Sequence, residues 1–366
     1  MRAWRGLGRG EGNQEGAALS GVIAFTNRGI HCPAADIYID PWRPVDRALV
    51  THGHSDHARP GHARYLATHA AVPVIRHRLG DIDIQGVGFG ERIDINGVAI
   101  SFHPAGHIPG AAQIRLEHRG EVAVVSGDYK LEHDGISEPF EPVRCHAFVS
   151  ECTFGLPVFK WQPQADVIAG IDAWWRQARD EGRVAVIGAY ALGKAQRIIA
   201  NVDRGIGPIL THGAVETTNA VLRAQGLALP ATTQVTPVMK RADFAGALVV
   251  APPSALAGPW FNRFGDATTA FASGWMALRG IRRRRGVDRG FVMSDHVDWP
   301  SLGSAIAATG AERIYVTHGY TSAFCRHLAE QGYDAHVVAT EFEGEQADSI
   351  ADPAAASDTS SAASEA

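Results

Sequence analysis

Three histidines and an aspartate crowd into six positions, His52, His54, Asp56 and His57, within Thr-His-Gly-His-Ser-Asp-His-Ala. The spacing is HxHxDH, and it follows an apolar run, Ala48-Leu49-Val50, that reads as a short strand. Residues two apart in an extended chain point the same way, so His52 and His54 can share one metal ion. Asp56 and His57 fall where the strand gives way to a tight turn and a helix. They leave in another direction and suit a second ion nearby. Imidazole nitrogen with carboxylate oxygen is ligand chemistry for zinc, with manganese or iron as alternatives. A chain with 17 His can also carry a histidine-rich surface loop. Four ligand-type residues directly after a strand favour metal over that reading.

Other metal-type residues repeat this placement. Val122–Val125 leads into Ser126-Gly127-Asp128, Phe148-Val149-Ser150 into Glu151, and Phe291-Val292-Met293 into Ser294-Asp295-His296. Ile314-Tyr315-Val316 leads into Thr317-His318-Gly319, and Phe102 into His103-Pro-Ala-Gly-His107. Strand ends are where layered α/β folds assemble sites. His62, His69, His103 and His146 read as solvated loop residues.

The elements that must position these residues form two patterns. Residues 21–51 read as strands and turns: Val22–Thr26, Asp36–Ile39 and Arg47–Val50. Ala63–Thr68, Glu91–Ile95, Val98–His103, Ala112–Glu117 and Val122–Val125 continue the strands, with a short helix through His77. Asn96-Gly97 and Arg119-Gly120 are hairpin signals. After residue 155 strand and helix alternate: helices over Asp166–Arg179, Leu192–Val202 and Ala214–Ala224, strands at Val184–Ile187 and Leu248–Val250. That alternation implies an α/β domain of its own. Strands and ligand-type residues resume near residue 290. The expected organisation is a disordered leader (1–20), a metal domain in two pieces (21–155 and 289–343), an inserted α/β domain (156–288) and a disordered acidic tail (344–366).

Composition fits a globular chain: 45% hydrophobic and 20% charged residues over 366 positions. No apolar run is long enough to span a bilayer. The first 20 residues hold no apolar core segment, so a secretory signal is not expected there. Cys32, Cys145, Cys152 and Cys325 form no CxxC pair, which points to a reducing cytoplasm and away from a cysteine zinc site. From Glu330 onward there are nine acidic residues and no Lys or Arg, so the remainder carries 34 basic residues against 30 acidic ones. A mildly basic body permits a nucleic-acid substrate.

Taken together, HxHxDH at 52–57, Gly106-His107, Ser-Gly-Asp at 126–128 and the late His318 resemble the metallo-β-lactamase fold. Glu151 in SECTFG, AYALGKAQ at 189–196, His296 in SDHVDW and His318 in THGY resemble the motifs of its β-CASP nuclease branch. That branch includes mRNA 3′-end processing endonucleases and Artemis-like DNA repair nucleases. Over 189–197, 250–260 and 270–320 the chain looks most like the bacterial ligase-associated DNA exonucleases. The resemblance covers about residues 21–345. It implies an α/β protein: an αββα sandwich with a β-CASP domain inserted after residue 155, and two zinc ions. By position, His52, His54 and His107 would hold one ion, Asp56, His57 and His318 the other, and Asp128 would bridge them. Asp40 resembles the structural acid of the first motif, although its Asp-Pro departs from the usual Asp-x-Gly. Histidine rather than valine at His318 is the form more typical of RNA processors.

The resemblance implies hydrolysis of phosphodiester bonds. Two metals acidify a water and neutralise charge on the non-bridging oxygens. His296 would be the general acid for the leaving 3′ oxygen, oriented by Glu151, with Asp56 counted among the catalytic residues. A role for His296 in only tightening the metal site is the alternative. Arg282, Arg283, Arg284 and Arg285 offer bidentate phosphate contacts, as do Lys194 and Arg197 more weakly. A solvated basic loop is the alternative for that run. Trp260, Phe261 and Trp275 could stack bases, but core packing is the simpler assignment. The expected function is a DNA exonuclease in repair, partnered by an ATP-dependent DNA ligase and a helicase, with no membrane. A β-CASP ribonuclease, a catalytically silent nucleic-acid scaffold and a small-substrate hydrolase are the competing readings.

Overall fold

A computed structural model describes residues 21–341. The expected leader, 1–20, and tail, 344–366, lie outside the described residues. The strands form three sheets. The first runs β1 (Ala24–Thr26), β2 (Gly29–Cys32), β3 (Ile37–Ile39), β4 (Arg47–Leu49), β5 (Arg64–Thr68) and β6 (Ile84–Val87), in that order. β1 to β3 are antiparallel and β3 to β6 parallel, with α1 (Val72–Leu79) between β5 and β6. The second sheet starts with β7 (Ile93–Ile95), β8 (Val98–Pro104), β9 (Ala112–His118), β10 (Glu121–Val125) and β11 (Ala147–Cys152). Its two hairpin turns have positive φ at both residues, 53° and 79° at Asn96-Gly97 and 52° and 82° at Arg119-Gly120. Two-residue hairpin loops need that geometry to match strand twist.

The third sheet is parallel throughout. Its segment runs α2 (Gln164–Asp180), β12 (Val184–Gly188), α3 (Lys194–Asn201), β13 (Ile209–Thr211), α4 (Gly213–Ala224) and β14 (Thr233–Gln234). It continues with β15 (Leu248–Ala251), α5 (Pro253–Leu256), β16 (Ala267–Ala272), α6 (Arg279–Arg284) and β17 (Arg289–Phe291). The chain then returns through α7 (Trp299–Thr309), β18 (Arg313–Gly319), α8 (Thr321–Glu330) and β19 (Asp334–Val337). β18 pairs with β11, and β19 forms the outer edge.

Alternation along the strands explains the layers. Ala123 and Val125 face a core shared with the first sheet, where Ile37, Ile39 and Leu49 are buried. Val122 and Val124 face the other way, against Leu302 and Ile306 of α7 and Leu328 of α8. Ala48, Val50 and Tyr65 bury the outer face of the first sheet against α1 through Ile75. A period of two thus coats both faces of each sheet, giving α1, sheet, sheet, α7 and α8: an αββα sandwich. The third sheet has its own cores, one with α2 and α3 and one on the opposite face.

Two expectations are corrected. No helix follows HxHxDH; residues 51–60 form turns, and the first helix is α1. The strand at Phe291, expected where the sandwich strands resume near residue 290, pairs instead with Ala270–Ala272 of β16. β17 is therefore an edge of the third sheet, and the loop carrying His296 leaves from it. Among the described residues no helix is long and apolar enough to cross a membrane, and all four cysteines are free thiols.

Candidate metal centre

The centre lies past the C-terminal ends of β4, β10, β11 and β18. β4 ends at Leu49 and releases Thr51, His52 and His54. β10 ends at Val125 and releases Asp128. Beside it, β11 carries Glu151, and β18 carries His318. The β11–β18 register shifts between Glu151 and Cys152, so Glu151 faces Thr317 and Cys152 faces Gly319. His318 is the extra residue, and such a bulge re-aims a side chain. Gly319 must be glycine: φ is 91°, and a Cβ there would meet the Cys152 carbonyl oxygen at 2.2 Å.

The donor atoms converge in two groups. Nε2 of His52 and Nε2 of His107 lie 3.1 and 3.0 Å from Nδ1 of His54. Oδ2 of Asp128 is 3.4 Å from His52 Nε2 and 3.7 Å from His107 Nε2. The same Oδ2 is 3.4 Å from Nε2 of His57, and Oδ1 is 3.0 Å from Nε2 of His318. Asp128 thus belongs to both groups. A tetrahedral zinc with bonds of about 2.0–2.2 Å has ligand-to-ligand edges of about 3.4 Å, close to these spacings. Asp56 is looser: its Oδ2 is 3.7 Å from His57 Nε2, and it falls outside the two tight groups.

The far side of each ring fixes its tautomer. Nδ1 of His57 donates to Oδ2 of Asp40 at 2.8 Å, and Nδ1 of His107 donates to the Asp295 carbonyl at 2.7 Å. Nε2 of His54 donates to the Leu192 carbonyl at 3.2 Å. The Thr51 hydroxyl donates to Asp40 at 2.6 Å, so Nδ1 of His52, 3.1 Å from that oxygen, is the donor to it. In its neutral form each of these rings therefore turns a lone pair toward the cluster. Lone pairs at such spacing repel unless a cation lies among them, and acceptors behind metal-binding imidazoles are the usual companions of such a site. The residues fit a pair of divalent ions.

Electrostatics agree with neutral ligands on one side and a charged junction. Burial lowers His52, His54 and His107, and neighbouring histidines push them further; His54 falls to about 3. Burial opposes charge on His57 as well, but Asp128, Asp56 and Asp40 together raise it well above the ordinary histidine value. Burial would raise Asp128 and Asp56, yet His57 beside them holds both carboxyls below their usual range.

Beside the cluster, Nδ1 of His296 donates to Glu151, 2.9 and 2.8 Å from its two oxygens. Glu151 also accepts from the Tyr129 backbone N–H at 2.9 Å and the Thr153 hydroxyl at 2.6 Å. The His296 ring lies 4.8 Å from that of His107, and donor atoms of Asp128, Glu151 and His296 lie within 4.8 Å of one another.

Of the expected phosphate contacts, Arg282, Arg283 and Arg284 are exposed on α6, and Arg285 sits partly buried with its guanidinium 4.7 Å from the Phe271 ring. Lys194 is not on that surface. It is fully buried, with Nζ 3.8 Å from Oδ2 of Asp295. Arg197 is likewise buried, donating to the Ser294 carbonyl at 2.6 Å and to Asp295 at 3.2 Å. Trp275 is buried among Phe154, Phe159 and Met276, and Trp260 and Phe261 pack on the far core of the third sheet. Sequence reasoning did not find Thr51, Tyr129, Leu192 or Asp295 as supports. Asp295 carries a visible signal, standing beside His296 with a charge, but a carbonyl such as that of Leu192 has none.

No family model matches the chain. It is 28% identical over 315 residues to a probable DNA ligase from Opitutus terrae, covering 85% of this chain and 30% of that protein. It is 24% identical over 200 residues to endoribonuclease YSH1 from Mycosarcoma maydis, covering 44% of this chain and 22% of that protein. The chain thus spans less than a third of either relative. Among solved structures, a protein of unknown function from Enterococcus faecalis shares the fold, with a TM-score of 0.53 and 12% identity, covering 80% of this chain and 79% of that one.

Proposed function

Since the chain belongs to the β-CASP branch of the metallo-β-lactamase fold, we propose that it is a two-metal nuclease that degrades DNA from an end. The observation that carries this reading is the junction at Asp128, where one carboxylate meets both histidine groups and His296 stands alongside. Lewis acidity is what two bound divalent cations supply there, acidifying water and neutralising charge on a phosphoryl group. The imidazole-rich donor set favours zinc, with manganese or iron as alternatives. Glu151 accepts from Nδ1 of His296, so the proton that His296 gives to the leaving 3′ oxygen comes from Nε2. Arg282, Arg283 and Arg284 contact backbone phosphates on the approach to the site. The third sheet and its helices form the inserted domain, and the two-piece sandwich holds the metals.

What supports DNA is the extent of likeness: the match to the probable DNA ligase runs over 85% of the chain, that to the endoribonuclease over 44%. End trimming beside an ATP-dependent ligase, with a helicase exposing the strand, is the matching role in repair. A ribonuclease is the second reading, favoured by the endoribonuclease likeness and by histidine at His318. The deciding experiment compares linear and closed circular single-stranded DNA, with a matched RNA pair, on metal-loaded protein. Linear DNA should shorten from one end while the circle survives. A circle cut as fast as the linear strand removes the exonuclease reading, and far faster turnover of RNA replaces it with the second.

A further inference from the structure

The two halves of the metal centre are supported differently. His57 is held by Asp40 and His318 by its own strand and Asp128, all within the sandwich. His54 instead donates to the carbonyl of Leu192, at the entry to α3 in the inserted domain. His107 donates to the carbonyl of Asp295, in the loop leaving β17 of the third sheet. α3 grips that loop: Arg197 binds the Ser294 carbonyl and the Asp295 carboxylate, and Lys194 lies beside the same carboxylate. Gly193 sits between them at φ 91°, where a Cβ would come within 2.3 Å of Ile108 Cγ2, next to His107. One short segment of the inserted domain therefore backs both ligands.

We infer that the start of α3, Leu192 to Arg197, completes the outer shell of the His52–His54–His107 half-site and contributes nothing to the His57–His318 half-site. Gly193 and Arg197 are positioning residues for one ion of the pair. The inference rests on the metal-pair reading above and deepens it: affinity for one ion is a joint property of two domains, and affinity for the other belongs to the sandwich alone.

The test measures zinc affinity of metal-stripped, full-length protein by competition with a chromophoric chelator, so it does not depend on cleavage. Two backgrounds isolate the halves: His318→Ala leaves the first, and His52→Ala leaves the second. Gly193→Ala and Arg197→Ala should each weaken zinc binding about 10–100-fold in the His318→Ala background, the usual cost of losing an outer-shell partner. Neither should change affinity in the His52→Ala background, and Arg197→Lys should restore part of the loss. Circular dichroism confirms folding, and if one variant unfolds the other decides. Equal losses in both backgrounds, or none in the first, would overturn the inference while leaving the metal pair intact. Failure of the unaltered protein to take up zinc would overturn the metal-pair reading as well.

Discussion

Asp40 holds ligands of both half-sites from behind, His57 directly and His52 through the Thr51 hydroxyl. It adopts φ 42°, which a non-glycine residue takes only when its surroundings hold it there. Asp40→Asn can present an amide N–H to His57 Nδ1 and so move the ring proton to the metal-facing nitrogen. We expect that variant to weaken both ions, about 10–100-fold each, in a chelator competition. His296→Ala should keep its metals but lose roughly 10²–10⁴ in kcat on a phosphodiester with a poor leaving group. A p-nitrophenolate leaving group needs no proton and should be spared; equal losses on the two substrates would reduce His296 to a support of the metal site. His62 gives a prediction away from the centre. Burial lowers it to about 4, so between pH 6.5 and about 4 the unfolded chain takes up a proton that folded His62 does not. Stability is lost as pH falls through that window, and His62→Phe should lessen the slope in denaturation midpoints. At this scale the side chains that the structure draws together, His52, His54, His57, Asp128 and His318 among them, stand out in the sequence by type. Supports made of carbonyls were not, since every residue has one and only the fold says where it points.

Elements were legible where local chemistry decides them. The hairpins at Asn96-Gly97 and Arg119-Gly120 follow from turns that tolerate positive φ, and α2 follows from the spacing of Ile168, Ile171 and Trp175. Elements decided by distant partners were not. No helix forms after His57 because Asp56 and His57 are drawn to the centre and Pro60-Gly61 lies ahead of β5. β17 reads as the start of the returning sandwich, yet its partner is β16. α6 illustrates a surface argument that belongs to an element. It packs on the turn Gly274–Ala277, whose Trp275 joins Phe154, and the Phe154 ring is 6.0 Å from that of His296. Its exposed arginines are therefore tied to the site through Trp275 and Phe154. Replacing Arg282, Arg283 and Arg284 with Ala should weaken single-stranded DNA binding and reduce the salt slope, by about 0.7 for each phosphate no longer neutralised. Binding that keeps both its strength and its slope returns the run to a solvated face.

For the whole molecule, the metals would bind a site assembled only in the native state, so their binding energy is folding energy. Chelation should lower the thermal midpoint, and zinc should restore it. A midpoint indifferent to both would contradict metal in the core of the fold. The order of strands in the second sheet has a separate consequence, in the timing of synthesis. β11 pairs with β18, and the bond from the Cys152 thiol to the Thr317 carbonyl joins residues 165 positions apart. At about 5–20 residues per second, a ribosome takes on the order of ten seconds or more to bridge that interval. For that time the nascent chain carries β11 as an open edge, with the whole third sheet emerging before its partner exists. His296 and His318 arrive last. The His57–Asp128–His318 group is thus incomplete until β18 leaves the ribosome, and chaperone demand should concentrate on the β11 edge during that wait.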